Sequence, residues 1–221
     1  EWWRGGQNVE DWAFGLVDTS RQPKPALATV TQTMAESPFS REQRTRWPKV
    51  SVVVCAFNAA DTIDDCLTSL DALTYPKTEI ILIDDGSRDN TAVIAAQHPK
   101  VRVISVPNGG LSNARNVGLA NATGEIIAYT DADVRVDPDW LTYLIQPLVT
   151  SNAAGTGGPN LVPHDDPWVA QCVARSPGGP THVLLDDRVA EHVPGCNMAF
   201  RRDALLAIGG FNSVYLRAGD D

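Results

Sequence analysis

No stretch of this chain approaches the ~20 consecutive apolar residues that a membrane-spanning helix requires. No secretory signal pattern stands at its start either. Cysteine is scarce: Cys55, Cys66, Cys172 and Cys196 form no C-x-x-C pair, which argues against a structural zinc site. Cys55 and Cys66 lie among apolar neighbours and read as core residues, and a reducing compartment fits them. Positive charge is also short, with 18 Lys and Arg against 27 Asp and Glu, a net charge of −9. A nucleic-acid binder carries a basic face, so no nucleic-acid partner is expected. The four histidines, His98, His164, His182 and His192, are scattered and read as surface or loop residues.

What is present is an ordinary globular composition: 221 residues, 43% hydrophobic and 20% charged. That length holds one full domain plus a fragment, or two small domains. Both ends read as cut, since the chain opens inside an aromatic cluster and stops at Gly219-Asp220-Asp221. Residues 1–36 form one unit, with Trp2, Trp3, Trp12 and Phe14 crowded ahead of Pro23-Lys24-Pro25 and a short helix over 26–34. Residues 37–49 are polar, basic and proline-bearing, the composition of a linker.

From Val50 onward the periodicity changes. Residues 50–56 are a β-branched apolar run and predict a buried strand. Asp61 then predicts the cap of a helix whose apolar positions Ile63, Cys66, Leu67, Leu70 and Leu73 recur at helical spacing. Further strands are expected over 79–83, 101–106 and 125–130. Between them lie helices starting at Asp89 or Asn90, and at Ser112 as a cap. Asp137-Pro138 predicts one more helix reaching about residue 150, bent at Pro147. Beyond it, 153–158 and 195–201 read as strands and 203–208 as a short helix, with 163–194 loop-heavy. Strands alternating with helices imply an α/β fold, a mainly parallel sheet with helices on both faces.

In such sheets ligands bind beyond the carboxyl ends of the strands. The residues there are Ala56-Phe57-Asn58, Asp84-Asp85-Gly86-Ser87, Asn108-Gly109-Gly110 and Asp131-Ala132-Asp133. The first run has no glycine-rich turn, which rejects a nicotinamide dehydrogenase. In an extended turn the carboxylates of Asp131 and Asp133 face one side. They suit a hard divalent cation such as Mg²⁺ or Mn²⁺, completed by substrate phosphates, or a ribose hydroxyl; a solvated turn capping the next helix is the alternative. Asp84-Asp85 reads either as an acidic helix cap or as a carboxylate accepting a base N–H. Arg115 faces either a phosphate or base carbonyl, or solvent. Asp220-Asp221 is either an acidic tail or the seat of a general base that takes the proton of a sugar hydroxyl.

Taken in order, the motifs resemble the family 2 glycosyltransferases of GT-A fold. They are Val50-Ser51-Val52-Val53-Val54-Cys55-Ala56-Phe57-Asn58, Ile83-Asp84-Asp85-Gly86-Ser87, Gly110-Leu111-Ser112-Asn113-Ala114-Arg115-Asn116 and Thr130-Asp131-Ala132-Asp133. Pro194-Gly195-Cys196-Asn197-Met198-Ala199-Phe200-Arg201-Arg202 and Gly209-Gly210-Phe211 continue the match, which covers about residues 50–221. The resemblance implies a Rossmann-like GT-A sheet and inverting transfer from a nucleotide sugar, usually a UDP sugar, to a saccharide or other hydroxyl acceptor. It implies a nucleotide pocket formed by Ala56, Phe57, Asn58, Asp85 and Arg115, with Asp84 beside them. Asp131 would hold the ribose side and Asp133 the metal, Mg²⁺ or Mn²⁺. The family's acidic pair, usually Glu-Asp, falls on Asp220-Asp221, which implies Asp221 as the base and Asp220 as second choice. Polysaccharide or glycoconjugate synthesis in the cytoplasm, or at the cytoplasmic face of a membrane, is the implied setting. Family members usually continue past this point, so membrane association through segments beyond residue 221 is compatible with it.

Glu1-Trp2-Trp3-Arg4-Gly5-Gly6, Glu10-Asp11-Trp12-Ala13-Phe14-Gly15-Leu16 and Pro23-Lys24-Pro25-Ala26-Leu27 resemble the last strand and helix of a TIM-barrel glycoside hydrolase. Such a tail without its barrel is expected to be poorly ordered. Two rival classes remain at this point. A phosphotransfer enzyme with a carboxylate nucleophile also gathers aspartates and Mg²⁺ at strand ends. A catalytically silent module that binds sugar nucleotides would share the whole pocket.

Overall fold

The structure is a computed structural model that describes residues 15–18, 20–36, 47–163, 165–174, 183–184 and 189–214. Two compact units divide between Arg46 and Trp47. In the first, Asp18 Oδ1 accepts hydrogen bonds from the Ser20 and Gln22 N–H groups, both at 2.8 Å, and closes a turn. Helix α1 (Pro25–Glu36) follows, and none of its side chains is buried. The aromatic cluster of Trp2, Trp3, Trp12 and Phe14 lies outside the described residues.

The second unit begins with Trp47, whose ring stacks on Tyr75 at 4.8 Å between centroids. The Tyr75 hydroxyl donates to the Pro48 carbonyl at 2.7 Å. Residues 47–49, expected to end a linker, are therefore fastened to this unit. Strand β1 (Val50–Ala56) leads to α2 (Ile63–Asp71), then β2 (Thr78–Asp84), α3 (Thr91–Ala95) and β3 (Val101–Ser105). Helix α4 (Leu111–Asn121), β4 (Ile126–Asp131), α5 (Trp140–Leu144), α6 (Gln146–Thr150) and β5 (Gly155–Gly157) continue the chain. Then come α7 (Trp168–Ala174), β6 (Val183–Leu184), β7 (Ala190–His192), β8 (Asn197–Arg201) and α8 (Arg202–Ile208).

Six strands form one sheet in the order β3-β2-β1-β4-β8-β5. β3, β2, β1 and β4 run parallel, whereas β8 is antiparallel to both β4 and β5. Val50, Val52, Val53 and Val54 of β1 have no exposed surface, because helices cover both faces of this central strand. Helix α2 buries Ile63, Cys66, Leu67 and Leu70 at i, i+3, i+4 and i+7. Each such side chain contributes about 1.5–3 kcal/mol by leaving water. Helix α4 lies so close to β1 that a Cβ on Gly118 would collide with the Val53 side chain. On that face Tyr129, Met198, Leu205 and Phe211 join Val53, Ile81 and Ile127 in one core.

Three capping expectations differ from the structure. The N-cap of α2 is Thr62 rather than Asp61, and no side chain caps it. The N-cap of α4 is Gly110 at φ 85°, while Ser112 sits fully buried inside the helix. The helix expected from Asp137-Pro138 to residue 150 is two helices, α5 and α6, broken at Ile145. Pro147 has no N–H to bond back to residue 143, so the ladder cannot run through.

Chain order and sheet order together create a switch point. The chain moves outward from β1 to β2 and β3, then returns to the other side of β1 as β4. Ligands bind at such a reversal, outside the carboxyl ends of the strands. The register sets Ala56 opposite Asp84 on one side, and Cys55 opposite Asp131 on the other.

Candidate functional site

Ala56 ends β1 buried, Phe57 is half exposed, and Asn58 adopts a left-handed φ of 51°. Asn58 tolerates that backbone because its short polar side chain bonds locally. Its Oδ1 accepts from the Arg88 N–H at 2.8 Å, and its own N–H donates to Ser87 Oγ at 2.9 Å. Ala59 N–H donates to Thr91 Oγ1 at 2.8 Å and Ala60 N–H to Asp89 Oδ2 at 3.0 Å. The loops after β1 and β2 are thus stitched into one ledge.

Asp84 and Asp85 are both buried at the end of β2. Asp84 Oδ1 accepts the Ser87 N–H at 3.0 Å, closing the turn through Gly86. Gly86 has φ 77°, and a Cβ there would stand 2.8 Å from the Asn108 nitrogen. Asp85 does more structural work. Its Oδ1 accepts the Gly109 N–H at 2.8 Å, and its Oδ2 accepts the Gly110 N–H at 2.9 Å and Asn108 Nδ2 at 3.2 Å. This carboxylate fixes the Asn108–Gly110 loop just before the first turn of α4, where the helix dipole favours negative charge. Asp84 keeps more acceptor capacity than Asp85 for an incoming N–H.

Arg115 is 3% exposed, which removes the surface alternative for it. Its guanidinium carbon lies 5.2 Å from the centre of the Phe211 ring. Phe211 is fixed by its neighbour on α4: Asn116 Nδ2 donates to the Phe211 carbonyl at 2.7 Å, and Phe211 N–H returns a bond to Asn116 Oδ1 at 2.8 Å.

On the other side of the switch point, Asp131 and Asp133 line a cavity of about 1770 Å³. Asp133 is exposed at its mouth, so only Asp131 is sheltered. The wall facing them is set by Asn197, which is buried. Its Oδ1 accepts Trp140 Nε1–H at 2.8 Å, and its Nδ2 donates to the Pro159 carbonyl at 2.9 Å. Arg135 reaches across to Asp165 at 3.0 and 3.1 Å and to Asp166 at 2.8 Å. Burial first, then the charges of Asp133 and Asp131, push the Cys66 thiol up to about 12. Burial and Asp131 likewise raise the Cys196 thiol. Asp131 and Asp133 offer carboxylate oxygen to the cavity. Among the described residues no group of three or more His, Cys, Asp or Glu could cage a metal. Two carboxylates open to the cavity fit Mg²⁺ or Mn²⁺, which take remaining ligands from water and phosphate.

Ala56, Phe57, Asn58, Asp84, Asp85, Arg115, Asp131 and Asp133 all gather around the carboxyl edge of the sheet or the start of α4. Asp220 and Asp221 lie outside the described residues. Trp140 and Arg135 of the cavity wall carry no sequence signal, and Asn197, though within the Pro194–Arg202 motif, takes no role from the sequence, because their partners are remote in the chain. His98 lies in the loop between α3 and β3, as expected, and is partly buried between two carboxylates. Its Nε2 lies 3.1 Å from Asp64 and its Nδ1 lies 3.2 Å from Asp71.

Residues 51–209 match the family model described as Glycosyl transferase family 2. A glucosyl-dolichyl phosphate glucuronosyltransferase of Haloferax volcanii is 26% identical over 189 residues, 78% of this chain and 58% of that protein. A poly-beta-1,6-N-acetyl-D-glucosamine synthase of Staphylococcus epidermidis is 33% identical over 137 residues, 57% of this chain and 33% of that protein. The chain therefore spans between 33% and 58% of the length of these two relatives. Among solved structures, a mannosyltransferase from Pyrobaculum calidifontis in complex with GDP-Man and Mn²⁺ superposes with TM-score 0.59 and 27% identity. The superposition covers 77% of this chain and 49% of that one. A glucosyl-3-phosphoglycerate synthase from Mycobacterium tuberculosis with Mn²⁺ and UDP shares the fold at TM-score 0.52 and 22% identity, over 73% of this chain and 60% of that one. These findings remove the phosphotransfer alternative: the chain belongs to glycosyl transferase family 2.

Proposed function

We propose that this chain carries the donor half of a metal-dependent inverting glycosyltransferase, using a UDP sugar to glycosylate a hydroxyl acceptor. The observation that supports it most is the register of β1 against β2 and β4, which sets Asp84 beside Ala56 and Asp131 beside Cys55 at the same end of the sheet. The base and ribose lie on the ledge of Ala56, Phe57 and Asn58, with Asp84 accepting a base N–H, Asp85 holding the loop and Arg115 behind it. Asp131 takes the ribose hydroxyls and Asp133 holds Mg²⁺ or Mn²⁺. The cation supplies charge stabilisation to the leaving diphosphate. The acceptor oxygen forms a bond to the anomeric carbon from the face opposite the diphosphate as the carbon–phosphate-oxygen bond breaks. Asp221, with Asp220 as second choice, takes the acceptor proton. Polysaccharide or glycoconjugate synthesis from cytoplasmic nucleotide sugar is the setting. Among the described residues no helix is long and apolar enough to cross a membrane. The amino-terminal unit is the tail of a glycoside-hydrolase-like domain.

Proton NMR of the transfer product made by the full-length protein tests this reading. The product anomer should be opposite to that of the donor, and Asp221→Asn should slow transfer at least a hundredfold. A retained anomeric configuration would refute the inverting mechanism. Unchanged turnover in Asp221→Asn would move the base elsewhere.

A further inference from the structure

The sheet order runs from β2 and β1, through β4 with Asp131 at its end, to β8. On the glycosyltransferase reading a donor laid along that order has its base at β1 and β2, its diphosphate at Asp131 and Asp133, and its sugar toward β8. The first residue of β8 is Asn197, which pairs across the ladder with Thr130, the residue before Asp131. It lines the same cavity as Asp131 and Asp133. Cys196, one residue earlier, lies within the field of both: burial first, then the charge of Asp131 and also that of Asp133, raise its thiol.

Asn197 is only 8% exposed, and amides are mostly found at the surface. Its orientation is fixed, because Trp140 Nε1–H can only donate and the Pro159 carbonyl can only accept. The backbone is held as well: the Asn197 carbonyl accepts the Gly158 N–H at 3.1 Å. Gly158 packs so closely that a Cβ on it would stand 2.7 Å from Asn197 Nδ2. The two side-chain bonds use one of the two Nδ2 hydrogens and one of the two Oδ1 lone pairs. Among the described residues no group takes the rest. A fixed amide with a donor and an acceptor to spare on a cavity wall suits a hydroxyl, which can accept and donate.

Resting on the glycosyltransferase reading, we propose that Asn197 is a specificity-determining residue for the transferred sugar: held by Trp140 and Pro159, its amide hydrogen-bonds a ring hydroxyl of the donor sugar. A site built to bond a hydroxyl rejects the analogue that lacks it, because the buried amide is then left unpaired.

UDP, UDP-glucose, UDP-galactose, UDP-N-acetylglucosamine and UDP-glucuronate are titrated by calorimetry into the full-length protein loaded with Mn²⁺. The native protein should separate the tightest from the weakest of the four sugar donors by at least tenfold. Asn197→Ala should shrink that spread at least fivefold and leave UDP affinity within twofold. Trp140→Phe keeps a ring but releases Oδ1, and should shrink the spread at least twofold, again with UDP unchanged. Among monodeoxy analogues of the tightest donor, one should bind the native protein at least tenfold more weakly than its parent, and that loss should vanish in Asn197→Ala. Thermal melting shows which variants are folded, and Trp140→Phe with the native deoxy series decides the matter where Asn197→Ala unfolds. A merely structural role would weaken UDP and the sugar donors together. Parallel losses of that kind, no spread among the native donors, equal binding of every deoxy analogue, or a spread that survives in a folded variant would overturn the inference. Failure of UDP to bind the native protein removes the donor reading and this inference with it, whereas UDP binding without sugar discrimination removes this inference alone.

Discussion

Around the ends of β1, β2 and β3, loops are held to one another by backbone N–H groups converging on buried carboxylates and hydroxyls. Across β4, ties among the described residues of the cavity wall include those of Asn197 to Trp140 and Pro159, of Gln171 to the Pro163 carbonyl and of the exposed Arg135 to Asp165 and Asp166, and the wall carries apolar side chains open to water. On the proposed function the donor's phosphates and base are the same in every turnover, so a ledge already held by hydrogen bonds lowers the ordering cost of binding. On the proposed function the acceptor side has to admit a second substrate and release a larger product, which suits a wall lined by exposed side chains.

The largest way to break this contrast is Asp85→Ala. It strands the Gly109 and Gly110 N–H groups, leaves Asn108 only its bond to the residue 85 carbonyl, and removes a charge before α4. Urea denaturation should show a loss of about 3–4 kcal/mol, and calorimetry a loss of nucleotide binding. Asn116→Ala comes next, since it deletes both bonds to Phe211 and loosens the ring beside Arg115. About 2 kcal/mol of stability should go, with a smaller weakening of nucleotide affinity.

Glu79 sharpens the comparison from the opposite edge of the sheet. Burial raises its pKa, but the hydroxyls of Ser51 and Thr123, the Thr123 N–H and Lys49 outweigh it and hold the carboxyl at about 2. A folded pKa below the unfolded one adds stability that is complete above pH ~4.5 and fades as pH falls toward 2. With solvent screening this amounts to about 1–2 kcal/mol. Glu79→Gln should flatten that acid limb in pH-dependent urea melts and leave UDP affinity untouched. A drop in UDP affinity would mean that the two edges of the sheet are coupled. The smallest effect is expected for Arg135→Ala: no change in the urea midpoint, a few-fold rise in acceptor KM, and constant donor affinity. A donor-side effect instead would place Arg135 on the diphosphate.

Strands β1, β2 and β4 and the buried stripe of α2 were legible in the sequence, because apolar periodicity encodes burial directly. The aspartates at the strand ends were legible for the same reason, once the strands were placed. The capping of α4 was not. Gly110 rather than Ser112 is its N-cap, and the Gly109 and Gly110 N–H groups are held by Asp85 from another strand. His98 was legible as a loop residue, but its two carboxylate neighbours on α2, brought near by folding, were not. The Trp140–Asn197–Pro159 chain likewise joins segments whose pairing no local pattern announces.

The central claim is that Asp133 and a divalent cation complete a nucleoside diphosphate site at the end of β4. Calorimetric titration of UDP into the native protein and Asp133→Ala, with and without Mn²⁺, tests it most directly. Binding that needs Mn²⁺ and falls at least tenfold in the variant is the predicted result. Binding that ignores both the metal and the substitution, in a folded sample, would contradict the account.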